Sequence, residues 1–174
     1  MRHIKKIVCS VSAAITLIVT DVVPNNVIVS PAGLEQIGNA EECRLNPYVC
    51  PAGRITNGIG NIHGVSNKTI TIKQVAKDWA RNIESAQNCL TSSADVSLMS
   101  QGQIDAFTSF IFNTGCTRFK RNSDGSETRI YNYIHHGDYH KACNELKFWV
   151  YGAGKKLPGL VKRRQKETEL CFAK

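Results

Sequence analysis

Apolar residues change their period several times along the chain. Ile7 to Val19 carries no charge and follows Arg2, Lys5 and Lys6. That is the basic head and apolar body of an export signal. The body is dilute, because Ser10, Ser12, Ala13, Ala14, Thr16 and Thr20 interrupt it. A stable spanning helix needs roughly 20 strongly apolar residues. The stretch from Ile4 to Val23 reaches that length only by including lysines near one end and Asp21 near the other. Lysines can snorkel, but an aspartate side chain is short. No Ala-x-Ala cleavage site follows the run. The expectation is a retained N-terminal membrane-anchor helix with marginal, reversible insertion; a cleaved signal peptide is the alternative. Cys9 favours retention, since a cysteine has no use in a segment destined for removal.

The period then becomes helical. Ser30-Pro31 suits a helix start, with serine capping the exposed N–H groups and proline at the first position. Leu34, Ile37, Gly38 and Glu41 share one face. Between residues 43 and 65, Pro47, Pro51, Gly53, Gly58, Gly60 and Gly64 break the chain into short runs, which predicts a small irregular sheet with tight turns. Thr71 with Gln74 and Ser100 with Gln103 read as capping boxes. After the first, Ile72, Val75, Ala76, Trp79, Ile83, Ala86 and Leu90 form the stripe of a long amphipathic helix. After the second, Ile104, Ala106, Phe107, Phe110 and Ile111 make a buried helix that stops at Gly115. Residues 122–125 read as a polar loop, 127–135 and 138–151 as helices, and 160–171 as a basic terminal helix after Pro158-Gly159. The pattern is α+β: a small β-sheet lobe and a larger helical lobe joined by a long helix, with a cleft between them.

Composition narrows the setting. The chain has 174 residues, 42% hydrophobic, and a net charge of +8, so it can build a core and suits an anionic partner. Basic and aromatic residues do not interleave as a nucleic-acid surface would need, so no nucleic acid is expected. Seven cysteines, Cys9, Cys43, Cys50, Cys89, Cys116, Cys143 and Cys171, point to an oxidising compartment. No CxxC pair suggests zinc. The odd count leaves one thiol over. His135, His136 and His140 near Asp138 read as solvated, so no metal and no cofactor is expected. Trp79 and Trp149 read as core. Lys162, Arg163, Arg164 and Lys166 read either as a solvated helix face or as an adhesive patch for anionic wall or membrane.

Glu41 is the candidate for chemistry. It closes its helix on the apolar face, where the helix dipole and partial burial both favour a protonated carboxyl. A general acid acting on a glycosidic oxygen needs that state. The alternative is an ordinary surface glutamate beside Glu35 and Glu42.

The segment EECRLNPYVCPAGRITNGIG, residues 41–60, resembles the catalytic segment of the phage-type lysozymes, glycoside hydrolase family 24. That family has a glutamate ending a helix, a second catalytic residue nine positions later and a threonine six positions after that. The matching residues are Glu41, Cys50 and Thr56, followed by the Gly58-Ile59-Gly60 turn. Phe112 to Gly115 and the tail PGLVKRRQKETELC also resemble family members, and the likeness covers roughly residues 31–174. It implies a two-lobed lysozyme-like fold. It also implies hydrolysis of the β-1,4 bond between N-acetylmuramic acid and N-acetylglucosamine in peptidoglycan, with host lysis. Glu41 would be the acid, Cys50 the base or nucleophile, and Thr56 would position water or Cys50.

The best-known members carry aspartate where this chain has Cys50. The signal-anchor-release endolysins resemble it more closely, with an unprocessed, weakly apolar anchor, a cysteine within it and a cysteine pair flanking the site. Cys9, Cys43 and Cys50 stand at matching places. The resemblance implies a regulatory exchange from Cys43–Cys50, which would consume the catalytic sulfur, to Cys9–Cys43. A plain structural Cys43–Cys50 bond is the alternative. Of the other four, Cys143–Cys171 is favoured, with Cys89–Cys116 then remaining; sequence leaves this connectivity open. The expected organisation is an anchor segment, 1–29, and a muramidase domain, 30–174. A monomer is expected, held in the host inner membrane facing the periplasm and then released into the periplasm. Two rivals stand beside this reading: a lytic transglycosylase, which needs only one acid, and a non-catalytic basic wall-binding protein.

Overall fold

The computed structural model describes residues 7–50 and 53–173. The basic head, Met1 to Lys6, lies outside the described residues, as does Pro51. The chain begins with α1 (Val11–Val19), capped by Ser10, and α2 (Pro31–Asn39), whose N-cap Ser30 accepts from the Gly33 N–H. Strands β1 (Cys43–Val49) and β2 (Ile55–Ile59) then form an antiparallel hairpin that pairs Cys43 with Ile59 and Tyr48 with Thr56. Helix α3 (Ile72–Thr91) runs 20 residues into α4 (Gln101–Thr114), α5 (Cys116–Lys120), α6 (Arg129–His135) and α7 (Tyr139–Glu145). A short hairpin, β3 (Tyr151–Gly152) and β4 (Lys155–Lys156), precedes α8 (Pro158–Cys171).

Two cores lie along α3, which explains its length. Its first half sends Val75, Ala76, Trp79 and Ile83 into a core shared with Leu34, Ile37 and Ile59. Its second half sends Ala86, Cys89 and Leu90 into a core built on Phe107, Phe110, Phe119 and Ile130. The α+β reading with two lobes and a long joining helix is the architecture observed.

Local departures have physical causes. The Ser100–Gln103 box is complete, whereas at Thr71 only the half in which threonine accepts from the Gln74 N–H is present. The helix expected over 138–151 ends at Glu145, runs on as one 3-10 turn (Leu146–Phe148) and gives way to the β3–β4 hairpin. Ala153 and Gly154 both take positive φ in that turn, 47° and 75°, a conformation that no helix accommodates.

The N-terminal segment departs most. Among the described residues no helix is long and apolar enough to cross a membrane. The nine residues of α1 rise only about 14 Å, against a hydrocarbon core of about 30 Å. Asp21, at φ 53°, ends the run just past the helix. Ala14, Ile18, Val23 and Val29 are buried in the first core beside Trp79 and Ile37. Burying a residue such as Ile18 or Val23 contributes roughly 1.5–3 kcal/mol. In this state apolar side chains that could face lipid face protein, and packing continues across the 29/30 boundary. Residues 7–9 also extend the sheet: Val8 bridges Arg44, the Leu45 N–H donates to the Ile7 carbonyl at 2.9 Å, and the Cys9 N–H to the Cys43 carbonyl at 3.2 Å.

Candidate active site

Glu41 stands two residues beyond α2, its N–H bonded to the Gly38 carbonyl at 3.2 Å. Its side chain is 24% exposed. One face of the carboxylate meets Gly60, where an added Cβ would lie 3.2 Å from Oε2. Gly60 also has φ 67°, so this position requires glycine twice over. The other oxygen, Oε1, accepts from Arg163 Nη1 at 2.8 Å.

Glu41 lines one hollow, and the Gly60 it meets lines a second. One, about 460 Å³, lies between α2 and α8 and is lined by Gln36, Asn39, Glu41, Asn113, Leu160 and Lys166. The other, about 230 Å³, lies between the end of β2, α3 and α4, with Gly60, Ile62, His63, Asn82 and Phe112 in its walls. Phe112 packs against both lobes' cores.

Cys50 follows β1 at a tight turn, its N–H donating to the Arg54 carbonyl at 2.9 Å and its carbonyl accepting from the Gly53 N–H at 2.8 Å. It is half-buried and forms no disulfide. Cys43 is bonded instead to Cys9, with Cα atoms 5.1 Å apart. Thr56, 3% exposed on β2, donates its hydroxyl to the Arg54 carbonyl at 3.1 Å. Arg54 thus ties the Cys50 turn to Thr56 through one carbonyl. Tyr48 is a reporter of the cluster. Burial raises its phenol above the ordinary range, and the charges of Glu42, Glu41 and Cys50 add to that, against Arg44. Arg44 stacks 4.1 Å from the Tyr48 ring centre while paired with Glu42 at 2.5 Å.

Two residues of the expected basic face are not solvated. Arg163 and Arg164 are 6% and 1% exposed. Arg163 donates to Glu41, to Glu167 Oε1 at 3.1 Å and to the Ser109 carbonyl at 3.3 Å. Arg164 pairs with Glu167 at 3.0 Å and donates to Asn113 Oδ1 at 2.6 Å. Burial pulls its guanidinium down to about 10. The result is a buried chain of alternating charge, Glu41–Arg163–Glu167–Arg164, that returns through Asn113 to the larger hollow. Reading the four clustered basic residues as a surface missed this. The available signal was Glu167, at helical spacing from both arginines. Only Lys162 and Lys166 remain exposed.

The remaining expectations are placed as follows. Cys89 is bonded to Cys116 and Cys143 to Cys171. Trp79 is fully buried, and Trp149 packs edge-on to Phe110, with ring centres 5.0 Å apart. His135 Nδ1 lies 3.0 Å from the Ser93 carbonyl. Among the described residues no group of three His, Cys, Asp or Glu is placed to hold a metal ion.

A helical lobe and a small sheet joined by one long helix, with a carboxylate in the cleft between them, define the lysozyme class of fold and site. Residues 38–167 match the phage lysozyme family, and the chain belongs to that family. It is 39% identical over 171 residues to the SAR-endolysin of Escherichia phage P1, covering 95% of this chain and 91% of that protein. Its fold superposes on the active form of the P1 phage endolysin Lyz with a TM-score of 0.87 at 38% identity, covering 95% of each chain. Against the secreted inactive form of the same endolysin the TM-score is 0.59 at 39% identity, over 83% of this chain and 95% of the other. The chain is thus more similar in fold to the active form of that endolysin than to its secreted inactive form.

Proposed function

We propose that this endolysin cuts peptidoglycan with Glu41 as general acid, Cys50 as base or nucleophile and Thr56 positioning water or the thiol. The chain is a phage endolysin of the lysozyme family, hence a muramidase-type glycosidase. The bond cleaved is the β-1,4 link between N-acetylmuramic acid and N-acetylglucosamine. Glu41 gives its proton to the glycosidic oxygen as the C1–O bond breaks. The thiolate of Cys50, the reactive form of a cysteine, either takes a proton from the water that attacks C1 or attacks C1 itself and is then displaced by water.

The observation that carries this reading is the placement of Glu41, half-buried in the wall of the hollow between α2 and α8 and against the Gly60 turn. A glycan strand lying in that hollow would bring its linkage to that carboxylate. In a turbidity assay on outer-membrane-permeabilised cells, Glu41→Gln is expected to abolish lysis while leaving the fold intact. Full lysis by that variant overturns the assignment. A lytic transglycosylase stays as second reading because the second catalytic position holds a thiol where a carboxylate is usual. Mass spectrometry of the digest separates the two, since a transglycosylase leaves an anhydro sugar.

The same reading includes a switch. Residues 1–29 hold the chain in the host inner membrane, with Met1 to Lys6 cytoplasmic and residues 30–174 in the periplasm as a monomer. There Cys43–Cys50 cages the catalytic sulfur while Cys9 rests in lipid as a thiol. On release into the periplasm, the Cys9 thiolate attacks the Cys43 sulfur, a Cys9–Cys43 bond forms and Cys50 leaves as thiolate, with no net oxidation. The Cys9–Cys43 bond and the likeness to an active form support this order of events.

A further inference from the structure

Away from the cleft, a stretch of main chain is bound chiefly by side chains. The Asn26 N–H donates to Glu84 Oε1 at 2.6 Å, and the Asn26 carbonyl accepts from Gln87 Nε2 at 2.6 Å. The Ile28 N–H donates to Gln87 Oε1 at 3.0 Å, and the Ile28 carbonyl accepts from Gln101 Nε2 at 3.0 Å. The Ser30 N–H and hydroxyl donate to the two oxygens of Asp105, at 2.8 and 2.5 Å. Residues 26, 28 and 30 thus present their polar groups to one side, the period of a strand. Side chains of α3 and α4 stand where a neighbouring strand would.

Gln87 makes the analogy chemical. Its amide offers one donor and one acceptor to Asn26 and Ile28, as a peptide group would. It is only 5% exposed and Asp105 only 1%, so both have exchanged water for this segment. Gly33 makes the last rung possible, since a Cβ there would lie 2.6 Å from Asp105 Cγ. None of the four side chains lines either hollow beside Glu41.

We propose that Glu84, Gln87, Gln101 and Asp105 form a polar ladder that seats residues 26–30 on the folded domain and so delivers Cys9 to Cys43. It rests on the disulfide exchange described under Proposed function. Ser30 caps α2, so the Asp105 rung belongs to the helix start and fixes where the chain leaves it. The rungs at Ile28 and Asn26 form only when the preceding segment lies along α3. Val23 and Ile18 then reach the core beside Trp79, and α1 carries the chain back to Cys9 at the sheet edge. Each rung replaces hydrogen bonds to water, so its net value is small, yet two rungs lost together shift an equilibrium about tenfold.

The test uses the full-length chain from the periplasmic fraction, equilibrated with reduced and oxidised glutathione, alkylated and mapped by mass spectrometry. Gln87→Met keeps the side-chain volume and removes both bonds. The equilibrium constant for closing Cys9–Cys43 is expected to fall about tenfold. Cys89–Cys116 and Cys143–Cys171 should be unchanged. Gln101→Met should lower the same constant less. Amide exchange at Ile28 should quicken in Gln87→Met. An unmoved Cys9–Cys43 constant, an equal fall at all three bonds, or unchanged exchange at Ile28 would each overturn the ladder. Lysis that does not follow the fraction of Cys9–Cys43 would instead overturn the exchange reading, with the ladder still measured by its own constant.

Discussion

At the scale of single residues, the arginine beside Glu41 is what sequence hid. Glu41 is proposed as the acid on its spacing to Cys50 and Thr56 and on the glycine turn that follows. Arg163 was not legible, because a run of cations reads as a solvated face whether or not two of its members turn inward. The pair also constrains what variants do. In Glu41→Gln the amide oxygen still accepts from Arg163, so the fold should survive while the acid is lost. A general acid contributes about 10²–10⁴-fold, and lysis should fall by at least that much. Glu42→Gln, whose parent carboxylate pairs with Arg44, should keep most activity. Arg163→Met is the opposite kind of change. It strips Glu167, fully buried, of one of two cations. Breaking a buried pair typically costs about 3–5 kcal/mol; with Arg164 still in place the lower end is expected, read by urea unfolding. Gly60→Ala should cut turnover by more than tenfold while costing about 1–2 kcal/mol of stability, since the residue sits in left-handed space and its methyl would press on Glu41 Oε2. Cys50→Ser should be inactive under every redox condition, and Cys43→Ser active without reductant, because nothing then cages Cys50.

At the scale of elements, helix starts were legible and some helix ends were not. Ser30, Thr71 and Ser100 each announce a cap by residue type, and each cap forms. The helix over 138–151 was overdrawn because Trp149, Val150 and Tyr151 supply apolar residues at any period. Gly152 and Gly154 were the stop signal. Disulfide connectivity is an element-scale property too, since it depends on which helices lie side by side. Cys143–Cys171 ties α7 to α8 across 28 residues of chain and is buried at both ends. By the loop-entropy relation such a bond contributes about 3–4 kcal/mol. The double replacement Cys143→Ala with Cys171→Ala should lower the urea midpoint accordingly. The Cys9–Cys43 exchange should be untouched, and thiol mapping would show any disturbance.

At the scale of the whole molecule, the N-terminal segment is read differently by lipid and by protein. A run of Ile, Val, Leu and Ala states only that water is to be avoided. It cannot say whether the shelter is a bilayer or the space beside Trp79, and in this structure it is the latter. That is why the segment's apolar character was evident while its place in the enzyme's core was not. A chain lacking residues 1–26 should be poorly active when oxidised and gain activity with mild reductant, monitored by turbidity.

The strand-like stretch at residues 7–9 has a further consequence. By pairing with Arg44 and Leu45 it covers the outer margin of a two-stranded sheet. With that cover gone, the margin offers unpaired N–H and carbonyl groups, a template on which a second chain can add. Arg44 is the charged guard left at that rim, and it is engaged with Glu42. The truncated chain should therefore self-associate as its concentration rises, with light scattering growing and thioflavin fluorescence following, while the full-length protein stays monodisperse. Residues 7–9 would then serve as a hem, keeping identical molecules from being stitched together as they crowd.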